Sequence, residues 1–289
     1  MQKYKTNSSK QKIESIMCGK KLISFDKPLV MGILNLTPDS FFDGGQYMHT
    51  DSILKRAKQI SDEGADMIDL GAYSTRPGAE DIDVEEEWKR MQPALACIRK
   101  ELPDAILSID TFRSELVRRV VREFGACIVN DISGGTMDDQ MFETVAELKV
   151  PYIMMHIKGT PQTMQTQAVY EDLMEEILQF FKERVNRLND LGAKDIIIDP
   201  GFGFGKTLEH NYEIMAQLKD FKSLQLPLLI GISRKSMIYK LLDGEAKDSL
   251  NGTTALNMVA LMGGAHILRV HDVKEAVECV KLYNKIQIQ

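Results

Sequence analysis

Eight apolar runs in this chain each end on a polar residue set among Gly, Ser or Thr. In order they are GILNLTPDSF (Asn35), IDLGAYSTRPG (Ser74, Thr75, Arg76), LSIDTF (Asp110), IVNDISGG (Asn130, Asp131), IMMH (His156), IIIDPGFGFGK (Asp199), LLIGISRKS (Ser233, Lys235) and ILRVHDV (Arg269, His271). Asp110, Asn130 and Asp199 suit a polar ring. A carboxylate accepts two N–H bonds from an amino-heterocycle, and an amide donates and accepts. Lys235, Arg269 and His271 are donors to an anion. Arg in particular offers a bidentate fork to phosphate oxygens. The set fits a heterocycle joined to a phosphate or diphosphate.

Such residues need elements that carry them to one place. The apolar runs span 29–35, 66–71, 105–110, 126–131, 151–156, 195–199, 227–232 and 265–270. They are nearly continuous rather than alternating, as in strands buried on both faces of a parallel sheet. Helical patterns fill the gaps. Asp51 can cap a helix bearing Ile53, Leu54, Ala57 and Ile60. Leu173, Ile177, Phe180, Val185 and Leu188 mark a stripe, and Asp272 can cap a last helix with Val273, Ala276, Val277 and Val280. Eight strand–helix units predict an α/β fold, a (β/α)8 TIM barrel over residues 28–289. Residues 1–27 form a short N-terminal extension, which could pair as a hairpin. An open doubly wound sheet is the structural rival, but LNLTPDSFFDGG after the first run is not GxGxxG. In a barrel the active site gathers at the carboxyl ends of the strands, and phosphate commonly binds after strands seven and eight. Lys235, Arg269 and His271 fall there.

Several polar positions also have plainer readings. An Asp or Asn after a strand is commonly a helix N-cap, the role expected of Asp131, Asp272 and Ser114. His156 either serves function or satisfies a nearby carbonyl. Trp88, Met154 and Met155 read as packing, although Met can line a flat pocket. GFGFGKT at 201–207 approaches GxxxxGK[ST], but Pro200 stands where the first Gly belongs. It reads instead as a glycine-rich loop that lets Phe204 approach a ligand.

At 289 residues the chain can be one large barrel. Its net charge of −6 argues against binding to a nucleic-acid backbone. Cys18, Cys97, Cys127 and Cys279 are widely spaced without CxxC, as in a reduced cytoplasmic protein. The first residues lack the apolar core of a secretory signal, and no run nears the ~20 apolar residues that span a bilayer. The expected location is cytoplasmic, away from membranes.

Taken together, MGILNLTPDSFFDGG, DLGAYSTRPGAE, SIDT, NDISGG, DPGFGFGKT, GISRKS and RVHDV closely resemble, in order, the signatures of the dihydropteroate synthase family. The resemblance covers nearly the whole chain from about residue 28. It implies condensation of (7,8-dihydropterin-6-yl)methyl diphosphate with 4-aminobenzoate, and diphosphate loss before attack of the amine. By motif, Asp110, Asn130, Asp199, Lys235, Met154 and Phe204 would hold the pterin. Asn35, Thr75, Arg269 and His271 would hold the diphosphate, with Asn35 also a ligand of Mg²⁺. Thr75, Arg76, Pro77, Phe204, Ser233 and Lys235 would border the aminobenzoate. Lys235, Arg269, His271 and Asp110 would carry the catalysis. Segments 35–47 and 73–80 correspond to the family's two mobile loops. A homodimer and competition by sulfonamides are family expectations. One departure is Ala72–Tyr73, where the family pattern has Gly and then Glu or Gln. A pterin-binding methyltransferase barrel would share the pterin-holding positions but not STRPG, SRKS or the Arg-x-His pair. A non-catalytic paralogue would have no need of them either.

Overall fold

A computed structural model describes residues 15–36, 46–74, 81–164 and 166–287. Strands β1 (Ser15–Cys18) and β2 (Lys21–Ser24) pair as an antiparallel hairpin. Eight parallel strands follow: β3 (Leu29–Asn35), β4 (Met67–Gly71), β5 (Leu107–Asp110), β6 (Ile128–Asp131), β7 (Tyr152–Met155), β8 (Ile196–Asp199), β9 (Leu229–Ile230) and β10 (Ile267–Val270). Their order is β8-β7-β6-β5-β4-β3-β10-β9, and a parallel bridge from Ile198 to Leu228 brings the two ends together. This is the (β/α)8 barrel read from the sequence. Its main helices are α1 (Gln46–Asp62), α2 (Val84–Glu101), α3 (Ser114–Phe124), α4 (Met141–Leu148), α5 (Leu173–Asp190), α6 (Leu208–Ala216), α7 (Ser236–Tyr239), α8 (Leu250–Gly263) and α9 (Val273–Gln287).

The two-residue period of a strand decides what each side chain faces. Ile68, Leu70, Ile109, Val129, Tyr152, Met154, Ile196, Ile198 and Leu268 pack into the helix-facing core. Their alternates Met31, Met67, Ile128, Ile153, Ile197, Leu229 and Ile267 form a second apolar layer with Ile16, Cys18, Ile23 and Phe25. The hairpin therefore closes the barrel beneath the strands' amino ends. Its turn needs Gly19, whose φ is +60° and where an added Cβ would lie 2.8 Å from Ala126 Cβ. Met17 N–H donates to Asp195 Oδ1 (3.2 Å), and Lys21 pairs with Asp104, tying hairpin to barrel.

Three expected caps are absent. Asp51 lies inside α1, which begins at Gln46. Ser114 is the first helical residue of α3, and its N–H donates to Asp138 Oδ2 (2.7 Å). Asp131 is buried and accepts from Ser133 N, Gly135 N and Tyr152 Oη, pinning the β6 turn rather than a helix. Asp172, Asp83 and Thr207 do cap α5, α2 and α6 through side-chain oxygens.

Candidate active site

Above the apolar floor, the inward positions turn polar. Asp69 on β4, Asp110 on β5, Asn130 on β6, Asp199 on β8 and Arg269 on β10 lie on the inward-facing parity of their strands. Arg269 is the hub. Its Nε donates to Asp69 Oδ2 (2.7 Å) and its Nη2 to Asp110 Oδ2 (2.7 Å). Asn130 Nδ2 donates to the same Asp69 oxygen (3.1 Å). A buried carboxylate survives by such pairing, because an isolated charge there is too costly. Asp69 went unremarked in the sequence because it lies within an apolar run, MIDLG, rather than at its end. Its place two residues before Gly71 was the available sign, since that spacing returns to the inward face.

The guanidinium thus sits deeper than a pure diphosphate clamp would, committed to carboxylates at the heterocycle end. Burial pushes Asp110 up to about 7, against the pull of Arg269 and with added push from Asp69, Glu87 and Asp131. Burial also raises Asp199, partly offset by Lys235 and by the Gly201 N–H that Oδ1 accepts (2.7 Å).

Lys235 approaches from the β9 side. Its Nζ donates to Phe202 O (2.5 Å) and lies 4.7 Å from the Phe204 ring centroid. Burial lowers its pKa to about 8, although Asp199 and Asp110 resist and Arg269 adds to the fall. The preceding Arg234 adopts φ +57°, uncommon for a side chain of that size. Two bonds from its guanidinium to Asp272 (2.9 and 2.6 Å) hold that turn. Asp272 therefore anchors the Lys235 loop as well as preceding α9. His271 stands beside it, with Nδ1 3.0 Å from Ser233 Oγ, which also accepts the His271 N–H (3.1 Å). Burial, then Arg269, lower His271 to about 4, so the imidazole is neutral near pH 7 and acts as a hydrogen-bonding group rather than a fixed charge.

The structure brings Asp110, Asn130, Asp199, Lys235, Arg269, Ser233, His271 and Phe204 to one mouth. Asn35 ends β3 on the inward parity, level with Gly71, and Gly71 is level with Asp110. Met154 does not join them. It packs in the helix-facing core, while its neighbour Met155 clusters with Phe112, Ile132, Ile157 and Met164 near Tyr73 and Phe204. The strand period assigns the inner wall to Met155. Thr75, Arg76 and Pro77, most of segment 35–47, and residues 75–80 lie outside the described residues. Tyr73 meets Phe112 edge-on at 5.0 Å, and its hydroxyl joins Asp81 and Gln162 (both 3.1 Å).

Residues 31–271 match the pterin binding enzyme family. The chain is 43% identical to the dihydropteroate synthase of Escherichia coli K12 over 90% of its own length and 92% of that protein's. The chain belongs to the dihydropteroate synthase family. Its relatives are transferases, and the fold agrees. A Yersinia pestis dihydropteroate synthase, solved with a sulfonamide drug complex, superposes with TM-score 0.88 at 37% identity, covering 95% of this chain and 100% of that one. The Xanthomonas albilineans dihydropteroate synthase with 4-aminobenzoic acid gives TM-score 0.88 at 34% identity, over 95% and 98%.

Proposed function

We propose that this protein condenses (7,8-dihydropterin-6-yl)methyl diphosphate with 4-aminobenzoate, releasing diphosphate. The observation that carries the reading is the polar ring of Asp69, Asp110, Asn130, Asp199, Arg269 and Lys235 above a closed floor, in a chain of this family. Asp110, Asn130 and Asp199 can accept and donate along the pterin's amino and ring-nitrogen edge. Met155 takes the apolar role expected of Met154. Asn35 and His271 face the diphosphate, where Thr75 would join them by its motif, with Arg269 linking that end to the pterin. Phe204, Ser233 and Lys235 border the aminobenzoate, where the STRPG residues Thr75, Arg76 and Pro77 would join them by motif.

Three carboxylates here face two cationic side chains, a balance that suits a pterin becoming positive as diphosphate departs. The aromatic amine then attacks the exocyclic carbon. Holding the two substrates in line supplies most of the rate, and no covalent enzyme nucleophile is required. Among the described residues no cluster of three His, Cys, Asp or Glu forms a metal cage. A single amide oxygen from Asn35 still fits Mg²⁺, which keeps its waters and leans on substrate phosphates. When bound, the ion would neutralise charge on the leaving diphosphate.

Exposed Val259 and Met262 on α8, with Leu282 and Ile286 on α9, support a homodimer through adjoining helices. No described helix is long and apolar enough to cross a membrane. The four free cysteines suit the cytoplasm. The deciding experiment measures diphosphate release with both substrates, leaving out 4-aminobenzoate or Mg²⁺ in turn. Turnover that ignores 4-aminobenzoate would sink the reading. A sulfonamide should compete with 4-aminobenzoate and not with the pterin.

A further inference from the structure

His156 ends β7 among the polar stops, yet its side chain turns away from the barrel mouth. The ring packs edge-on against Phe180 (4.8 Å) and near Phe181 and Tyr170. Its Nδ1 lies 2.9 Å from the Nζ of Lys206, the lysine of GFGFGKT. Lys206 is buried, and Asp199 is the carboxylate whose charge acts on it, without a direct ion pair between them among the described residues. Its amine also lies within hydrogen-bond distance of three carbonyls, His156 O (3.3 Å), Gly201 O (3.0 Å) and Phe204 O (3.0 Å), so its N–H groups are shared among four acceptors. Burial lowers the Lys206 amine to about 7, against the pull of Asp199; in its ammonium form it has only donors, and His156 Nδ1 then accepts with the ring proton on Nε2. Burial, with Lys206 adjacent, keeps the imidazole's pKa well below its ordinary value, consistent with that neutral form.

The loop so gathered is tightly folded. Gly201 has φ +71°, and a Cβ there would lie 2.0 Å from His156 O. Such a turn stacks several backbone carbonyls together, and their mutual repulsion needs a donor at the centre. Lys206 is that donor. The same loop presents Phe202 O and the Phe204 ring to Lys235, fixing it from two sides.

We infer that Lys206, seated on His156, is a positioning residue that shapes the 200–206 loop and so sets Lys235 and Phe204 against the aromatic amine. The inference rests on the functional reading above. It places this pair in a role distinct from substrate contact, since neither side chain reaches the mouth.

The test compares Lys206→Met, His156→Leu and His156→Asn in the full chain. The Asn Oδ1 can occupy the place of Nδ1 and keep the acceptor, whereas Leu removes it. Steady-state kinetics give the KM for 4-aminobenzoate, calorimetry gives the affinity for the pterin diphosphate, and melting curves report the fold. Lys206→Met and His156→Leu should raise the 4-aminobenzoate KM about tenfold or more, with pterin affinity within about threefold of wild type, because small misplacements of reacting groups are costly. His156→Asn should remain near wild type. If Lys206→Met does not fold, the contrast between Leu and Asn at 156 decides. An unchanged KM in His156→Leu, or equal loss of both ligands in Leu and Asn alike, would overturn the positioning role. A wild-type chain that releases no diphosphate would instead defeat the functional reading.

Discussion

Asp69 offers the sharpest test of how the ring is held. It is fully buried, and a single oxygen, Oδ2, receives both Arg269 Nε (2.7 Å) and Asn130 Nδ2 (3.1 Å). Oδ1 has no partner among the described residues. Asp69→Asn can therefore keep its carbonyl oxygen at the Oδ2 position and turn its new amide toward the Oδ1 side. What it loses is charge, not shape. A hydrogen bond to a charged group is worth roughly 1.5–3 kcal/mol against roughly 0.5–1.5 for a neutral one, so the loss should be about 1–2 kcal/mol. Arg269 keeps its bond to Asp110 Oδ2, which holds the loss at that level. Asp69→Ala strands two donors in the interior and should cost about 3–5 kcal/mol, the range for breaking a buried pair. Urea denaturation of both variants measures the two costs. Calorimetry with a pterin should show the same ranking, at about tenfold in affinity per 1.4 kcal/mol. An Ala variant as stable as wild type, or an Asn variant worse than Ala, would refute Asp69 as the shared anchor.

Three further outcomes follow from the same geometry. Lys235→Ala should lower turnover by about two or more orders of magnitude while leaving a cooperative melt, because the side chain borders both substrates without building the core; near-normal kinetics would contradict its placement. Met154→Ala should destabilise by about 2–5 kcal/mol with pterin binding retained, and Met155→Ala should weaken pterin binding more than stability; calorimetry and denaturation separate the two. The carboxyl of Asp110, raised by burial from 3.8 to about 7, adds stability that is complete below about pH 4 and lost as pH rises through about 7. Asp110→Asn should flatten that fall, read from urea midpoints at about pH 5 and about pH 8, and an unaltered slope would show that Asp110 does not titrate as described.

The barrel was legible because each strand is a short apolar run, and all eight appear within two residues of where the runs lie. Ends of strands were legible too, since polar residues there have no other reason to repeat. Inward parity was harder to see. Reading only the final residue of a run missed Asp69, two places earlier, and chose Met154 over Met155. The plainer cap readings failed where a tertiary partner was stronger: Asp131 found Tyr152 and two turn amides, whereas Asp272 immediately precedes α9 as read and also binds Arg234. Those partners lie 21 and 38 residues away, beyond the reach of local pattern. Lys206 was hidden for a similar reason, as its acceptors are mostly backbone carbonyls that leave no mark in side-chain spacing.

The hairpin floor has a consequence for traffic. With Ile16, Ile23 and Phe25 packed beneath Met31, Met67 and Ile197, the described residues form a well closed at its floor. Whatever lies deepest must enter before, and depart after, whatever rests above it. The vessel's shape alone therefore imposes a queue: last in, first out.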